Sequence, residues 1–529
     1  CYRDVVWGSM NHLGYPQGKT NIPYTPHLLA ECFDSGFPQA HDTYNSIGVC
    51  PLNKSVVYVL SSTEAEIGAR IFSMDLGKQL EQSSPQDLGD VTASCQDPAK
   101  TVVQGKAHCP VVEDPENGDV YFGTHCGYYT EVDGMETLPV PPGRPSHLGP
   151  YPGGVVMKLA KGGRLTPQGK VGGKLTALCR IPDGEGIVTM TCDLKRKRIY
   201  CLSWPSGFLY LASAASLPQD WGAAKVDVRS SSSSSSPTGK ATWSISKKID
   251  YAGRGEGESV HPRTGRYRPV CRSMVVNPHN GKMYFTNNQG TVLEYDPESN
   301  KVKELLTGAE GLSRDYFGKY DPNQPGSMGS HWRQVQWVDD TDGKGGRVIG
   351  MHGNSGYLFE MTLHEGGNAE LSLIERLTSK PSQKVGMSDQ FTYGYLGFAV
   401  SKKRIAYYLT GGPIFTYDGK RVKGKDSLNK GGARGLEHLH LVTYDLNINK
   451  YTDHGPIFYK NRLGFPTLVN SLTLSDDGWC YALGRLPDGT TDLFRVPDPH
   501  REGGGWYDRV PEGYDAAALR AANDYYANM

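Results

Sequence analysis

The chain has 529 residues, enough for a large core or for two domains. Its 56 Lys and Arg balance 56 Asp and Glu, so no global charge points to nucleic acid or to a membrane surface. With 65 Gly, 34 Pro and 31 Tyr the composition favours many short strands joined by turns, and no apolar run reaches the length of a membrane span.

A start at Cys1, with no visible signal peptide, raises the expectation of a processed, secreted or periplasmic protein. Lipid attachment at that cysteine is one form this could take. Residues 1–40 read as an N-terminal extension. After them one pattern recurs: an apolar strand, a polar turn with Gly or Lys/Arg, then an aromatic-containing strand. The instances are "GVCPLNKSVVYVLSS", "VVEDPENGDVYFGTH", "VTMTCDLKRKRIYCLSW", "MVVNPHNGKMYFTNN", "VQWVDDTDGKGGRVIGMHG", "GFAVSKKRIAYYLTG" and "LTLSDDGWCYALG". Corresponding second-strand positions are Tyr58, Tyr121, Tyr200, Tyr284, Val348, Tyr407 and Tyr481, at intervals of 63, 79, 84, 64, 59 and 74 residues.

Several copies continue into a third strand, as in "QGTVLEYDPESNKVKELL". Three or four strands per unit, repeated seven times, predict an all-β, seven-bladed β-propeller. No single blade buries both of its sheet faces, so neighbours must stack around a ring. The intervals exceed the roughly 40–50 residues usual for such repeats, so long loops are inserted. The Ser run at 230–236 is one of them. Residues 500–529 read as a C-terminal extension, and "YDAAALRAANDYYANM" within it as a short helix outside the ring. No linker divides the repeats, so residues 1–529 read as one domain and as a monomer.

The eleven cysteines are odd in number and do not have the spacing of a small disulfide scaffold. Cys192 and Cys201 flank the turn "DLKRKRIY" and could face each other across a hairpin; the other reading is buried free thiols. Asn53 opens a lone glycosylation sequon.

In a propeller the loop entering each first strand and the loop after each second strand open on one face. Those loops hold His41, Asp42, Lys106, His108, His125, Tyr128, Glu185, Arg268, Arg272, His331, Trp332, Arg333, His352 and Tyr393. The opposite turns, such as "PENG" and "PHNG", are plain. Binding groups gathered on one face of a rigid ring predict a functional site. His108 and His125 bracket a single hairpin, 17 residues apart, so both ends of that hairpin sit on this face.

His, Tyr, Arg, Lys and Trp together suit an anionic sugar. Trp332 or Tyr393 could stack on a pyranose, while Arg pairs with a carboxylate or sulfate. Glycosidases need two carboxylates flanking the bond, and this face offers only Asp42 and Glu185, on separate blades. Eliminative cleavage of a uronic acid needs a base for the C5 proton, an acid for O4 and a cation on the carboxylate; His, Tyr and Arg would serve.

The segments "GKAHCP", "GDVYFGTHCGYY", "YPGG", "GEGIVTMTCD", "RIYCLSWPSG" and "YRPVCRSMVVNPHNGKMYFT" resemble those of a seven-bladed propeller family of polysaccharide lyases that includes the ulvan lyases. The resemblance spans roughly residues 40–300 and is looser beyond. It implies β-elimination in a uronic-acid-containing, sulfated polysaccharide. It makes His108 and His125 the histidine pair, Tyr200 the tyrosine, with Tyr128 and Tyr267 in reserve, and Arg272 or Arg268 the neutralising cation. His41, Lys106, Tyr128, Tyr267, Arg268, Trp332, Arg333 and Tyr393 become substrate contacts, and the insert 131–154 a wall of the groove. The resemblance also implies a structural zinc, for which His261, Cys271, His331 and His438, or His440 in its place, are available. A non-catalytic propeller binding a polysaccharide or protein partner through the same face is the competing expectation.

Overall fold

The computed structural model describes most of residues 28–501; the longest internal stretches outside the description are 163–174, 216–241, 250–258, 261–266, 313–329, 380–396, 423–437 and 460–465. The Ser run and the C-terminal helix expected from sequence lie outside the described residues.

Seven four-stranded antiparallel blades stand in chain order around an axis. Blades 1 to 6 span residues 47–90, 112–180, 186–249, 275–306, 332–376 and 398–459. Blade 7 takes its first three strands from 469–497, and its outermost strand is Leu28–Cys32, from the other end of the chain. Part of the expected N-terminal extension is therefore a structural strand. It runs antiparallel to Thr491–Pro497 through Glu31 and Cys32, and parallel to the outer strand of blade 6 through Leu28, Leu29 and Ala30.

The repeat works as packing physics requires. The second-strand tyrosines Tyr58, Tyr121, Tyr200, Tyr284, Tyr407 and Tyr481, with Val348, are all at most 1% exposed. They belong to apolar clusters that each join neighbouring blades, such as blades 2 and 3 or blades 7 and 1. Burying such a side chain contributes about 1.5–3 kcal/mol. Several phenols reach past the apolar layer to a polar partner: Tyr284 to Glu294, Tyr407 to Asp498 and Tyr481 to Asp477.

The first strands of the blades line a central channel of about 650 Å³. Gln334 of blade 5 reaches toward blade 1 and donates to Asn45 at 2.5 Å. The closing strand is clasped by a buried ion pair. Arg495 Nε and Nη2 donate to Glu31 at 2.9 and 2.7 Å, and the guanidinium lies 4.1 Å over the Trp479 ring.

All ten described cysteines are free. The hairpin register sets Cys192 opposite Ile199 and Cys201 opposite Met190, so the two thiols are offset rather than paired. The sequon residue Asn53 is engaged in structure: its Nδ2 donates to Glu113 and to the Gly118 carbonyl, tying the lower turns of blades 1 and 2.

Candidate functional site

Strands one and two of a blade are antiparallel, so the start of the first and the end of the second share a rim. Register confirms this in blades 3 and 5, where Gly186 pairs with Trp204 and Trp332 with His352. On the rim of blade 2, Lys106 and His125 form an isolated antiparallel bridge. The His125 amide donates to the Lys106 carbonyl at 2.6 Å, and the Lys106 amide to His125 at 2.9 Å. The two segments pack this closely beside the bridge because Gly105 has no side chain: a Cβ there would lie 2.8 Å from the Gly127 Cα, and one on Gly127 would lie 1.9 Å from the Ser62 carbonyl oxygen of blade 1.

That bridge brings the histidine pair together. The His108 and His125 ring centroids are 4.7 Å apart, with planes inclined at 42°. Tyr44 of blade 1 stacks on His108 at 5.0 Å, and Trp204 of blade 3 lies 5.4 Å from His125. Tyr44, His108, His125 and Trp204 thus form one column of rings across three blades. Tyr129 closes its side, edge-on to both His125 and Trp204. The Lys106 ammonium sits 4.9 Å over the Tyr129 ring and 5.8 Å from that of Tyr44.

Both histidines are buried, His108 at 8% and His125 at 1% exposure. Burial, then His125, Lys106, Arg272 and Arg333, hold the His108 imidazole well below its ordinary range. Burial, Lys106 and Arg272 do the same to His125, against a smaller opposing pull from the Cys126 carbonyl. Both rings are therefore neutral near pH 7. The charged side chains acting most strongly on the pair are all cations.

His125 Nδ1 lies 3.0 Å from the Cys126 carbonyl oxygen, an acceptor, so Nδ1 carries the proton and Nε2 the lone pair. His108 Nε2 is buried and makes no hydrogen bond among the described residues. Leaving such an atom unsatisfied costs about 1–3 kcal/mol and marks a place for a polar ligand group. Glu185 is occupied at the blade 3 rim, where it accepts from the Ser206 hydroxyl.

The structure gathers His108, His125, Lys106, Arg272 and Arg333, and it moves other expected residues elsewhere. Tyr200 is fully buried mid-strand, with its hydroxyl donating to the Gly281 carbonyl at 3.4 Å. Gly281 belongs to the "PHNG" turn on the opposite face, so Tyr200 is a core aromatic rather than the proton donor. Trp332 is also fully buried, donating from its indole to Ser273 and stacking on Phe359, so it is no platform for a sugar. Tyr128 turns toward the 131–154 insert and donates to Gly143 at 2.7 Å; its neighbour Tyr129 is the tyrosine that meets His125. His41 is half-buried where the chain crosses into blade 1, its amide on the Ser61 carbonyl. Tyr267 and Arg268 form a short strand paired with Ser259–Val260. Tyr393, Asp42 and His261 lie outside the described residues.

Of the expected zinc ligands, Cys271 and His331 approach each other through Thr286, whose hydroxyl is 2.9 Å from His331 Nδ1 and 3.4 Å from the Cys271 sulfur. Burial pushes the Cys271 thiol up, and it donates to the Ser273 carbonyl. His440 pairs with Asp453, and His438 opens the strand His438–Asp445. Among the described residues no three His, Cys, Asp or Glu converge on one point. The described side chains therefore do not by themselves build a zinc site.

Tyr44, Tyr129, Trp204 and Gly186 are site residues that sequence reasoning passed over. All four stand in the rim segments "QAHDTYN", "GTHCGYY", "SWPSG" and "DGEGIVTM". The signal was their place on the rim; the choice between adjacent tyrosines needed coordinates.

No protein-family model matches the chain, and no curated protein matches it. Among solved structures it is similar to the extracellular domain of a hybrid two-component system of B. thetaiotaomicron, at 10% identity and a TM-score of 0.43. That match covers 90% of this chain and 41% of the other, so this chain spans about two fifths of that protein's length. It is also similar to Saccharomyces cerevisiae Sqt1, at 12% identity and a TM-score of 0.43 over 89% of this chain and all of that one. The β-propeller domain of Myceliophteria thermophila Cps50 (Swd1) follows at 6% identity and a TM-score of 0.42, covering 86% and 96% of the two chains. Its own blade count and sheet topology make this chain a seven-bladed β-propeller.

Proposed function

We propose that the chain is a polysaccharide lyase that cleaves a uronic-acid-containing, sulfated, ulvan-like polysaccharide by β-elimination. The observation that carries this reading is a close pair of neutral histidines beside Lys106, Arg272 and Arg333. An arrangement of neutral base and fixed cations suits removal of a proton next to a carboxylate. In this reading Arg272 holds the uronate carboxylate, which stabilises the charge that builds at C5. His125 Nε2 takes the C5 proton. The electrons of that C–H bond form the C4=C5 double bond as the C4–O4 bond breaks, and O4 leaves with a proton. Tyr44 and Tyr129, whose rings contact the two histidines, replace Tyr200 as sources of that proton. A glycosidase is less well supported, since Glu185 is held by Ser206 and the charged side chains acting on the histidine pair are cations, not carboxylates.

The proposal includes a secreted or periplasmic setting in which such polymers are met. Among the described residues no helix is long and apolar enough to cross a membrane. Structural zinc on His261, Cys271, His331 and His438 is a separate part of the proposal that no cluster of described side chains supports, and the metal content of the purified protein tests it. Incubation with a panel of uronans, followed by the ultraviolet absorbance of the unsaturated product, tests the lyase. Binding to a uronan without any absorbance rise would favour the non-catalytic propeller.

A further inference from the structure

We propose that Gly186 and Trp204 of blade 3 are positioning residues that seat the His125 imidazole of blade 2 and leave Nε2 as the nitrogen it presents. This rests on the lyase reading for its consequence in catalysis, though not for its geometry.

Gly186 opens the first strand of blade 3, with a backbone that any residue could adopt. Conformational freedom is therefore not why glycine stands there. Space is. A Cβ on Gly186 would lie 2.6 Å from His125 Nδ1 and 2.8 Å from both Cγ and Cε1. Three ring atoms at nearly equal distance mean that the imidazole lies over the bare glycine. Trp204, the cross-strand partner of Gly186, stands against the same ring at 5.4 Å. The Cys126 carbonyl takes Nδ1–H at 3.0 Å. With a floor, a wall and a hydrogen bond, the ring cannot turn over without losing Nδ1–H to Cys126 and meeting Trp204. A histidine on blade 2 is thus aimed by blade 3, and the site is a property of the seam between them. Neither seat residue needs to touch substrate.

The experiment uses the full chain carrying Gly186→Ala, with Trp204→Phe as a milder variant should the first not fold. Two readouts are taken. The first is kcat and KM on the uronan that the wild type degrades. The second is the tautomer of His125, read from ¹⁵N chemical shifts of histidine-labelled protein and assigned through His125→Gln. Wild type is expected to show Nδ1–H. Gly186→Ala should lose that signature and lower kcat about 100-fold, the scale of an ångström's misplacement, with KM little changed. Trp204→Phe should show the same changes in smaller degree. An unchanged tautomer in both variants, or an Nε2–H tautomer in the wild type, overturns the seat even if the enzyme is a lyase. A wild type inactive on every uronan, with the tautomer still lost in Gly186→Ala, retires the lyase reading and upholds the seat.

Discussion

His108 and His125 stand at the two ends of one blade 2 hairpin, yet their rings meet at 4.7 Å because Lys106 and His125 bridge the hairpin's mouth. The pair is buried, neutral and attended by cations, and each of these properties has a measurable consequence.

Replacing either histidine should remove turnover and leave the fold. General acid–base groups typically contribute 10²- to 10⁴-fold, so His125→Ala and His108→Ala should each lower kcat by about that factor. Thermal unfolding should still be cooperative in both, since they sit at loop edges. Steady-state kinetics and differential scanning calorimetry check the two halves of the statement.

The cations keep the imidazoles unprotonated. Arg272 disfavours the charged form of both His108 and His125. The wild-type kcat/KM should therefore hold its value well below pH 6.5, where an ordinary histidine base would already be half lost. Arg272→Met removes one of the charges that hold the two values down, so the acidic limb of the profile should move to higher pH. KM should also rise, because the carboxylate loses its partner.

The corrected tyrosine assignment separates two variants. Tyr200→Phe removes one long hydrogen bond to Gly281 on the far face. It should cost about 0.5–1.5 kcal/mol of stability at most and leave kcat unchanged. Tyr129→Phe, beside His125, should lower kcat without a comparable loss of stability. Chemical denaturation and initial rates on the two proteins give the comparison.

Ring closure depends on the clasp between the chain's two ends. Glu31 and Arg495 are 3% and 1% exposed, so Glu31→Ala would strand a buried guanidinium. Breaking such a pair costs about 3–5 kcal/mol. Urea unfolding should show that loss, and limited proteolysis should cut first near residues 28–32, where the strand Leu28–Cys32 is freed.

Acid should weaken the fold before it reaches the carboxylate range. Burial and a neighbouring histidine press His352 and His454 down to about 3. Below pH 6.5 the unfolded chain protonates these groups and the folded one does not, so their contribution is complete above that pH and falls as pH drops toward 3. Asp492, raised to about 6 mainly by burial, acts in the opposite sense but over a narrower span. The melting temperature should therefore fall between pH 6.5 and 4, and less steeply in His352→Gln if that variant folds.

Much of this was legible in the sequence, for a physical reason. Each blade buries an aromatic in its second strand, so the tyrosines from Tyr58 to Tyr481 mark the blades, and the strand ends mark the rim. The histidine pair followed from that bookkeeping of strand ends. What failed was side-chain direction at the rim. One residue's difference in parity decides whether Tyr128 or Tyr129 meets His125, and whether Trp332 faces a sugar or donates to Ser273 at the entry to blade 4. The closing strand was invisible because Glu31 finds its partner 464 residues away, and no local pattern reports such a pairing.

The central claim is that the His108–His125 site performs elimination on a uronate. The most direct measurement is the ultraviolet absorbance of unsaturated uronate over time, for wild type and His125→Ala on the same panel of uronans with ulvan first. A steady rise with the wild type on one polymer, reduced at least about 100-fold in His125→Ala, is the predicted result. A rise that His125→Ala leaves intact would contradict the site, and no rise on any uronan would contradict the lyase.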